Sequence, residues 1–314
     1  MKLRNVGQSG LRVSVVGLGC NNFGGRIDRE ASRAVIHKAL DLGITLFDTA
    51  DTYGARGGSE TYLGEILGAK RKDIVLATKF GMPMDEDGRL KGASRRYIMA
   101  AVEASLKRLR TEWIDLYQLH RPDPLTPIEE TLGALDDLVR QGKVRYIGCS
   151  NLPAWQVAVA HFAAREQGFT GFISCQDHYN LLAREIEAEL VPAMRHLGLG
   201  LLPYFPLASG MLTGKYKRGT PPPPGTRLAH PTQSYAQRYL TEANWDKIER
   251  LGHFAQARGR TLLEVAIAWL AAKPPVASVI AGATKPEQVE ANVKAGSWEM
   301  AADEVAEVDR LAAA

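Results

Sequence analysis

Cysteine is scarce in this chain of 314 residues, which has three: Cys20, Cys149 and Cys175. An odd number, with no C-x-x-C spacing and no Cys/His cluster of zinc spacing, argues against a disulfide framework and a structural zinc site. Each lies in or beside an apolar strand-like run, so buried, reduced thiols are expected. Long apolar stretches are missing too. No run reaches the ~18 residues that a membrane span needs. The opening residues 1–10 are polar and lack the apolar centre of a signal peptide. A cytoplasmic location without membrane contact is the default expectation. Charge of one sign is also in short supply: 39 Lys and Arg face 35 Asp and Glu, a formal +4. No five like charges adjoin, so nucleic acid is not an expected partner. Lys70, Arg71 and Lys72 read as a solvated loop.

What is present is alternation. Short β-rich runs over 13–19, 45–50, 74–80, 114–120, 144–150, 172–176, 200–205 and 276–281 alternate with helical patterns. The helices are expected over 29–42, 59–67, 95–110, 128–141, 154–167, 185–197, 261–272 and 286–294. Asp28 is a candidate N-cap, Pro127 suits a first helical turn, and Gly43 and Gly142 follow helix ends. Eight strand–helix pairs predict a parallel sheet, and within ~300 residues they suit a closed (β/α)8 barrel in one domain over 1–314. A doubly wound sheet is the alternative. Its glycine fingerprint is incomplete, because Gly17-Leu18-Gly19-Cys20-Asn21-Asn22 carries Asn where the third glycine belongs. Residues 2–13 read as a hairpin with Gln8-Ser9-Gly10 as its turn, placed to close one end of the barrel. A long loop over 214–235 contains Pro221 to Pro224. Residues 242–258 and 303–311 read as extra helices.

In a barrel of this kind chemistry sits at the C-terminal ends of the strands. The second run ends Phe47-Asp48-Thr49-Ala50-Asp51-Thr52-Tyr53-Gly54, the third Thr78-Lys79-Phe80-Gly81 and the fourth Gln118-Leu119-His120. Side chains alternate along a strand. Leu46 and Asp48 therefore share a face, as do Val75, Ala77 and Lys79, and Leu116, Gln118 and His120. If those faces point inward, Asp48, Lys79 and His120 converge at the barrel mouth, with Tyr53 just beyond. Singly, each has a structural reading: a turn cap, a surface lysine, a satisfied histidine, a loop aromatic. Jointly they form a set. A lysine closing an apolar strand is costly unless paired. Carbonyl reduction by hydride needs a proton donor at the oxygen, and a free tyrosine, with pKa ~10, is a weak acid near neutrality. A nearby ammonium lowers that pKa, a carboxylate holds the ammonium, and a histidine orients the carbonyl oxygen.

These motifs resemble the aldo-keto reductase family. The run from Gly43 to Gly54, the segment Ala77-Thr78-Lys79-Phe80-Gly81 and the segment Asp115-Leu116-Tyr117-Gln118-Leu119-His120 match its second-strand, lysine and histidine motifs in order. The branch is the one that includes bacterial reductases and potassium-channel β subunits. The resemblance implies NADP(H)-dependent reduction of an aldehyde or ketone, with Tyr53 as general acid, Lys79 and Asp48 tuning it, and His120 orienting the substrate. It implies that Ser150, Asn151 and Gln176 hold the nicotinamide carboxamide and that Tyr204 stacks on its ring. Phe205 stands where many relatives carry a small residue. The segment Pro206-Leu207-Ala208-Ser209-Gly210-Met211-Leu212-Thr213-Gly214-Lys215 resembles the pyrophosphate loop, with Lys215 and Arg227 as candidates for its positive charge. Gly282, Thr284, Gln288 and Asn292 match the adenosine end.

The best-known branch places Lys, Ser and Arg on the 2′-phosphate, where this chain has Gly282, Ala283 and Gln288. Lys285, or Lys215 and Arg227 from the opposite loop, are the candidates to replace them. Phe23, Phe80 and Met82, with Tyr53 and Phe205, are the expected substrate-pocket residues. A regulatory cofactor-sensing protein of the channel-β type is the alternative function. A metal-dependent barrel enzyme is disfavoured, because His120 has no matching ligands at other strand ends. An oligomer is neither indicated nor excluded.

Overall fold

The apolar runs form strands, and the register of those strands decides what faces inward. A computed structural model describes residues 1–229 and 238–313. The hairpin pairs β1 (Leu3–Asn5) with β2 (Arg12–Ser14) antiparallel. Eight further strands follow: β3 (Val16–Gly19), β4 (Leu46–Asp48), β5 (Val75–Phe80), β6 (Ile114–Leu119), β7 (Val144–Ser150), β8 (Phe172–Gln176), β9 (Gly200–Leu201) and β10 (Val279–Gly282). Their order is β10-β3-β4-β5-β6-β7-β8-β9, and every neighbouring pair is parallel. Leu201 bridges Val276, and the amides of Ala277 and Ile280 donate to the carbonyls of Leu201 and Pro203. These bonds join β9 to the β10 segment and close the (β/α)8 barrel.

Two cores follow from strand alternation. Side chains facing outward pack against the ring of helices, in a layer that includes Phe47, Leu76, Tyr117 and Trp269. Inside the barrel, Leu46, Ala77, Leu116, Leu202, Ala277 and Ile280 form a smaller plug with Val6 and Val13 of the hairpin. The hairpin thus closes the end opposite the strand C-termini, as its sequence suggested. Gly7 lets it approach: at φ +58°, a Cβ there would meet the Gly198 carbonyl oxygen at 2.4 Å and the Gly200 amide at 2.7 Å. Asp28 caps the helix Arg29–Asp41 by accepting from the Ala31 amide at 2.9 Å, a bond worth about 1 kcal/mol in similar caps.

Several elements differ from the sequence reading. The run 13–19 divides at Val15, whose amide donates to Lys2; its first part joins the hairpin and its second the barrel. The run 200–205 keeps only Gly200–Leu201 as strand, because Pro203 has no N–H to donate. Tyr204 still bridges His178, and Phe205 turns to φ +53°. The helix 185–197 is a short 3₁₀ turn, Glu185–Glu187, followed by Leu190–Leu197. Pro192 suits a first helical turn and would break the longer helix. The extra helices are present as Glu242–Ala257 and Ala302–Ala313. Of the loop expected over 214–235, residues 214–229 contain only the 3₁₀ turn Arg227–Ala229, and residues 230–235 lie outside the described residues. No described helix is long and apolar enough to cross a membrane.

Candidate active site

Register brings the ionisable strand ends together. Asp48 lies beside Ala77, and Lys79 beside Gln118, so the inward faces of β4, β5 and β6 end in Asp48, Lys79 and Gln118 above the apolar plug. Lys79 is fully buried, and its ammonium donates to Asp48 Oδ2 at 2.7 Å and to the Thr49 carbonyl at 2.8 Å. The other carboxylate oxygen, Asp48 Oδ1, accepts from Gln176 Nε2 at 2.8 Å and Gln118 Nε2 at 3.2 Å. A buried ion pair persists only when its remaining lone pairs are met in this way. Burial works against the lysine's charge, but Asp48 and Tyr53 outweigh it and hold its pKa above the ordinary value.

Tyr53 reaches this pair from the turn after β4. The helix Tyr53–Leu67 opens with left-handed backbone at Gly54, Ala55 and Arg56, so its regular part begins only after Gly57, near the expected start at 59. At Gly54 a Cβ would meet the Phe23 carbonyl oxygen at 2.5 Å and the Ser59 amide at 2.7 Å, so a side chain there would push Tyr53 off its turn. The Lys79 ammonium sits 5.1 Å from the Tyr53 ring centroid, and the His120 ring meets that ring edge-on at 5.8 Å. All four expected catalytic residues are therefore gathered at one mouth.

Their electrostatics differ from the sequence reading in one respect. Lys79 does pull the Tyr53 pKa down, but burial is the larger effect and, with Asp48, leaves the phenol above its ordinary pKa. Burial also drives His120 down to about 3, helped by the charges of Lys79 and Arg121. His120 is thus a neutral ring, and its Nδ1 is buried without a partner.

The polar ends of the later strands form one connected network. Ser150 donates to the Gln176 carbonyl at 2.8 Å, and Asn151 Nδ2 donates to the His120 carbonyl at 3.1 Å and to Ser150 Oγ at 2.8 Å. The Tyr204 hydroxyl donates to Asn151 Oδ1 at 2.8 Å. Beyond β9, Pro206 and Leu207 lead into the turn Ala208–Thr213, where Ala208 and Ser209 adopt positive φ and Ser209 Oγ is buried without a partner. A Cβ on Gly210 would meet the Lys215 ammonium at 2.9 Å, so Lys215 lies against this turn.

Arg227 stacks 5.5 Å from the Phe205 ring centroid and donates to Asn22 Oδ1 at 3.2 Å. Asn22 Nδ2 in turn donates to the Ala283 carbonyl at 3.1 Å. Gly282 follows the same pattern: a Cβ there would meet Asn22 Nδ2 at 3.3 Å. Gln288 Oε1 accepts from the Thr284 amide at 2.7 Å, Lys285 occupies the N-cap of the helix Pro286–Gly296, and Asn292 is buried on that helix. Of the two opposite-loop candidates, Arg227 is the one linked to the segment after β10.

The expected substrate-pocket set needs correction. Phe80 is fully buried and packs on Tyr117 at 4.7 Å. Alternation puts it on the helix side of β5, opposite Lys79. Phe23 is also fully buried in the outer core. Neither presents surface to a ligand, whereas Met82 and Phe205 are half-buried at the mouth. Sequence reasoning missed Gln118 as a site residue, although it lies on the inward face that alternation had marked. It also missed Asn22, visible only as the residue that spoils a glycine fingerprint, and Asp51. Asp51 is buried with both carboxylate oxygens unpartnered, and burial, then Glu60, push its pKa up to about 8.

Comparison with known proteins identifies the family. The sequence model of the Aldo/keto reductase family matches residues 15–313. A probable voltage-gated potassium channel subunit beta from Arabidopsis thaliana is 38% identical over 302 residues, 94% of this chain and 91% of the relative. An L-glyceraldehyde 3-phosphate reductase from Escherichia coli is 36% identical over 319 residues, 99% of this chain and 92% of the relative. An uncharacterised oxidoreductase from Bacillus subtilis is 37% identical over 305 residues, 94% of this chain and 91% of the relative.

Proposed function

The chain belongs to the aldo/keto reductase family, and from that premise we propose that it reduces an aldehyde or ketone to an alcohol with NADPH, Tyr53 delivering the proton. The observation that carries this reading is the buried Lys79–Asp48 pair set against the Tyr53 ring. A phenol held above its ordinary pKa stays protonated at neutral pH and is available to donate. Once the proton leaves, Lys79 stabilises the tyrosinate, and Asp48 keeps the ammonium in place. The neutral His120 ring orients the carbonyl oxygen as negative charge develops there. The reverse oxidation uses the same groups.

The residues present fit a nicotinamide dinucleotide. Ser209 Oγ is an orphaned buried hydroxyl in a turn of left-handed backbone, the kind of concave loop that receives phosphate oxygens. Lys215 and Arg227 flank that turn with positive charge. Ser150, Asn151 and Gln176 supply amide and hydroxyl groups for the carboxamide, Tyr204 a ring to stack on, and Gly282, Thr284, Lys285, Gln288 and Asn292 the adenosine end. Arg227, tied to that end through Asn22, is the candidate for the 2′-phosphate and the reason to prefer NADPH over NADH. When bound, the cofactor supplies the hydride. Reduced thiols at Cys20, Cys149 and Cys175 suit a cytoplasmic setting.

The test is Tyr53→Phe, assayed by NADPH oxidation with an aldehyde panel and by NADPH titration. Turnover is expected to fall by about two orders of magnitude or more while cofactor affinity stays within a few-fold. Unchanged turnover overturns the assignment, and a clear KM preference for NADH overturns the cofactor choice. The channel-β relatives favour a second reading, in which cofactor state regulates a partner protein. Tight NADPH binding with no turnover across the panel would select it.

A further inference from the structure

The site just described leaves one strong charge unused. Arg121 follows His120 directly at the end of β6. Its position is fixed by the bond from Asn151 to the His120 carbonyl and, through Asn151, by the Tyr204 hydroxyl. The Arg121 side chain is exposed, and no hydrogen bond or ion pair to it occurs among the described residues. Its charge nevertheless bears on His120, Tyr204 and Asp177.

A second guanidinium stands beside the histidine that stacks on Tyr204. Arg238 donates to His178 Nδ1 at 3.2 Å and lies 5.4 Å from the Tyr239 ring centroid. His178 stacks on Tyr204 at 5.6 Å. Like Arg121, Arg238 is exposed and makes no ion pair with a carboxylate among the described residues. Of the acids in this neighbourhood, Glu185 acts on His178 and Tyr239 but makes no ion pair with either arginine among the described residues, and Asp177 is buried, with Oδ2 unpartnered. It accepts no hydrogen bond from either arginine, and burial pushes its pKa up to about 7. The mouth beside His120 and Tyr204 therefore carries two guanidinium groups that make no ion pair with a carboxylate among the described residues. At the phosphate-type turn Lys215 lies against Gly210 and Arg227 against Phe205 and Asn22, so Arg121 and Arg238 are additional to the charges assigned there.

We propose that Arg121, assisted by Arg238, is a specificity-determining residue that selects carbonyl substrates bearing an anionic group, a phosphate monoester or a carboxylate. A guanidinium offers a planar fork of donors that such oxyanions accept in pairs. At an exposed rim it also draws anions toward the mouth. The charge of Arg121 bears on both the His120 ring and Tyr204, and Arg238 is bonded to His178, whose ring stacks on Tyr204, so an anion drawn to these guanidinium groups lies on the side of the mouth where His120 orients the carbonyl.

This inference rests on the carbonyl-reductase reading, and its test separates the two. With NADPH, kcat/KM is measured for glyceraldehyde against glyceraldehyde 3-phosphate, and for butanal against succinic semialdehyde. The proteins are the wild type, Arg121→Gln and Arg121→Lys. The wild type is expected to favour the anionic member of at least one pair by about tenfold or more, and the pair with the larger ratio names the anion. Arg121→Gln should reduce that ratio by roughly ten- to a hundredfold, the range of one or two charge-assisted bonds. The loss should lie mainly in KM, with Arg121→Lys intermediate. Equal reactivity within both pairs, or a ratio unmoved by Arg121→Gln, overturns the proposal. Absence of turnover with every aldehyde would refute the reductase reading instead. In that case calorimetric titration of glycerol 3-phosphate against glycerol decides the anion site. Selective binding of the phosphate, weakened about tenfold or more in Arg121→Gln, supports it, and equal binding to wild type and variant overturns it.

Discussion

Asp48 and Lys79 meet at 2.7 Å across neighbouring strands, with the lysine fully buried and the carboxylate 4% exposed. The pair sits at the boundary between the apolar plug of the barrel and its mouth. Solvent contributes little to either charge there, so the protein supplies the partners: Thr49 for the ammonium, Gln118 and Gln176 for the carboxylate. The charges are costly to bury, and the network that offsets the cost also holds Lys79 beside Tyr53.

Removing one partner should therefore damage both stability and turnover. Lys79→Met leaves Asp48 buried without its cation and is expected to destabilise the fold by about 3–5 kcal/mol. Turnover should fall by roughly two to three orders of magnitude. Urea unfolding and NADPH oxidation measure the two effects. The double variant Asp48→Asn/Lys79→Met should regain part of the stability and none of the turnover. A single variant as stable as the wild type would show that the pair is dispensable to the fold.

His120 makes a prediction about pH. Its folded pKa, about 3, lies below its ordinary 6.5, so the unfolded chain binds the extra proton first. Its contribution to stability is complete above the ordinary value and is lost as pH falls toward 3. In His120→Phe the decline of stability with acid over that window should be shallower, as read by thermal unfolding at a series of pH values. The rate profile of the wild type should also lack a histidine inflection between about pH 5 and 8. An inflection there that vanishes in His120→Phe would contradict a ring held neutral.

Asp51 runs the other way. Its folded pKa, about 8, lies above its ordinary 3.8, so the folded protein holds the proton longer. Its contribution is present at low pH and is lost as pH rises from about 4 to 8. Asp51→Asn keeps the shape without the charge. Relative to the wild type it should gain about 1–3 kcal/mol at pH 9 and little at pH 4. Chemical denaturation at the two pH values checks this, and an equal effect at both would rule out ionisation as the cause.

The convergence of Asp48, Tyr53, Lys79 and His120 was legible because its signal is local. Asp48, Lys79 and His120 close apolar strands, and the two-residue alternation puts them on the face shared by Leu46, Ala77 and Leu116. The closing hairpin and the cap at Asp28 were legible for the same reason. The aromatic pocket was misread because Phe80 neighbours Lys79 in sequence yet faces the helices, and Phe23 turns into the core. The ends of β9 and of the 185–197 segment moved because single prolines, Pro203 and Pro192, outweigh the surrounding apolar pattern. Arg227 and Asn22 are 205 residues apart in sequence, and no spacing pattern announces such a contact.

The sequence by itself determined which residues stand at the strand ends, in what order, and on which face, because alternation and strand–helix order are properties of neighbouring residues. Only the tertiary structure decided who partners whom and in what charge state. The Tyr53 pKa illustrates the difference. A nearby ammonium predicts a lowered value, but the packed barrel removes so much water from the phenol that the value rises. The neutrality of His120 and the raised pKa of the unpartnered Asp51 have the same origin, since desolvation depends on everything that closes around a group and not on its neighbours in the chain.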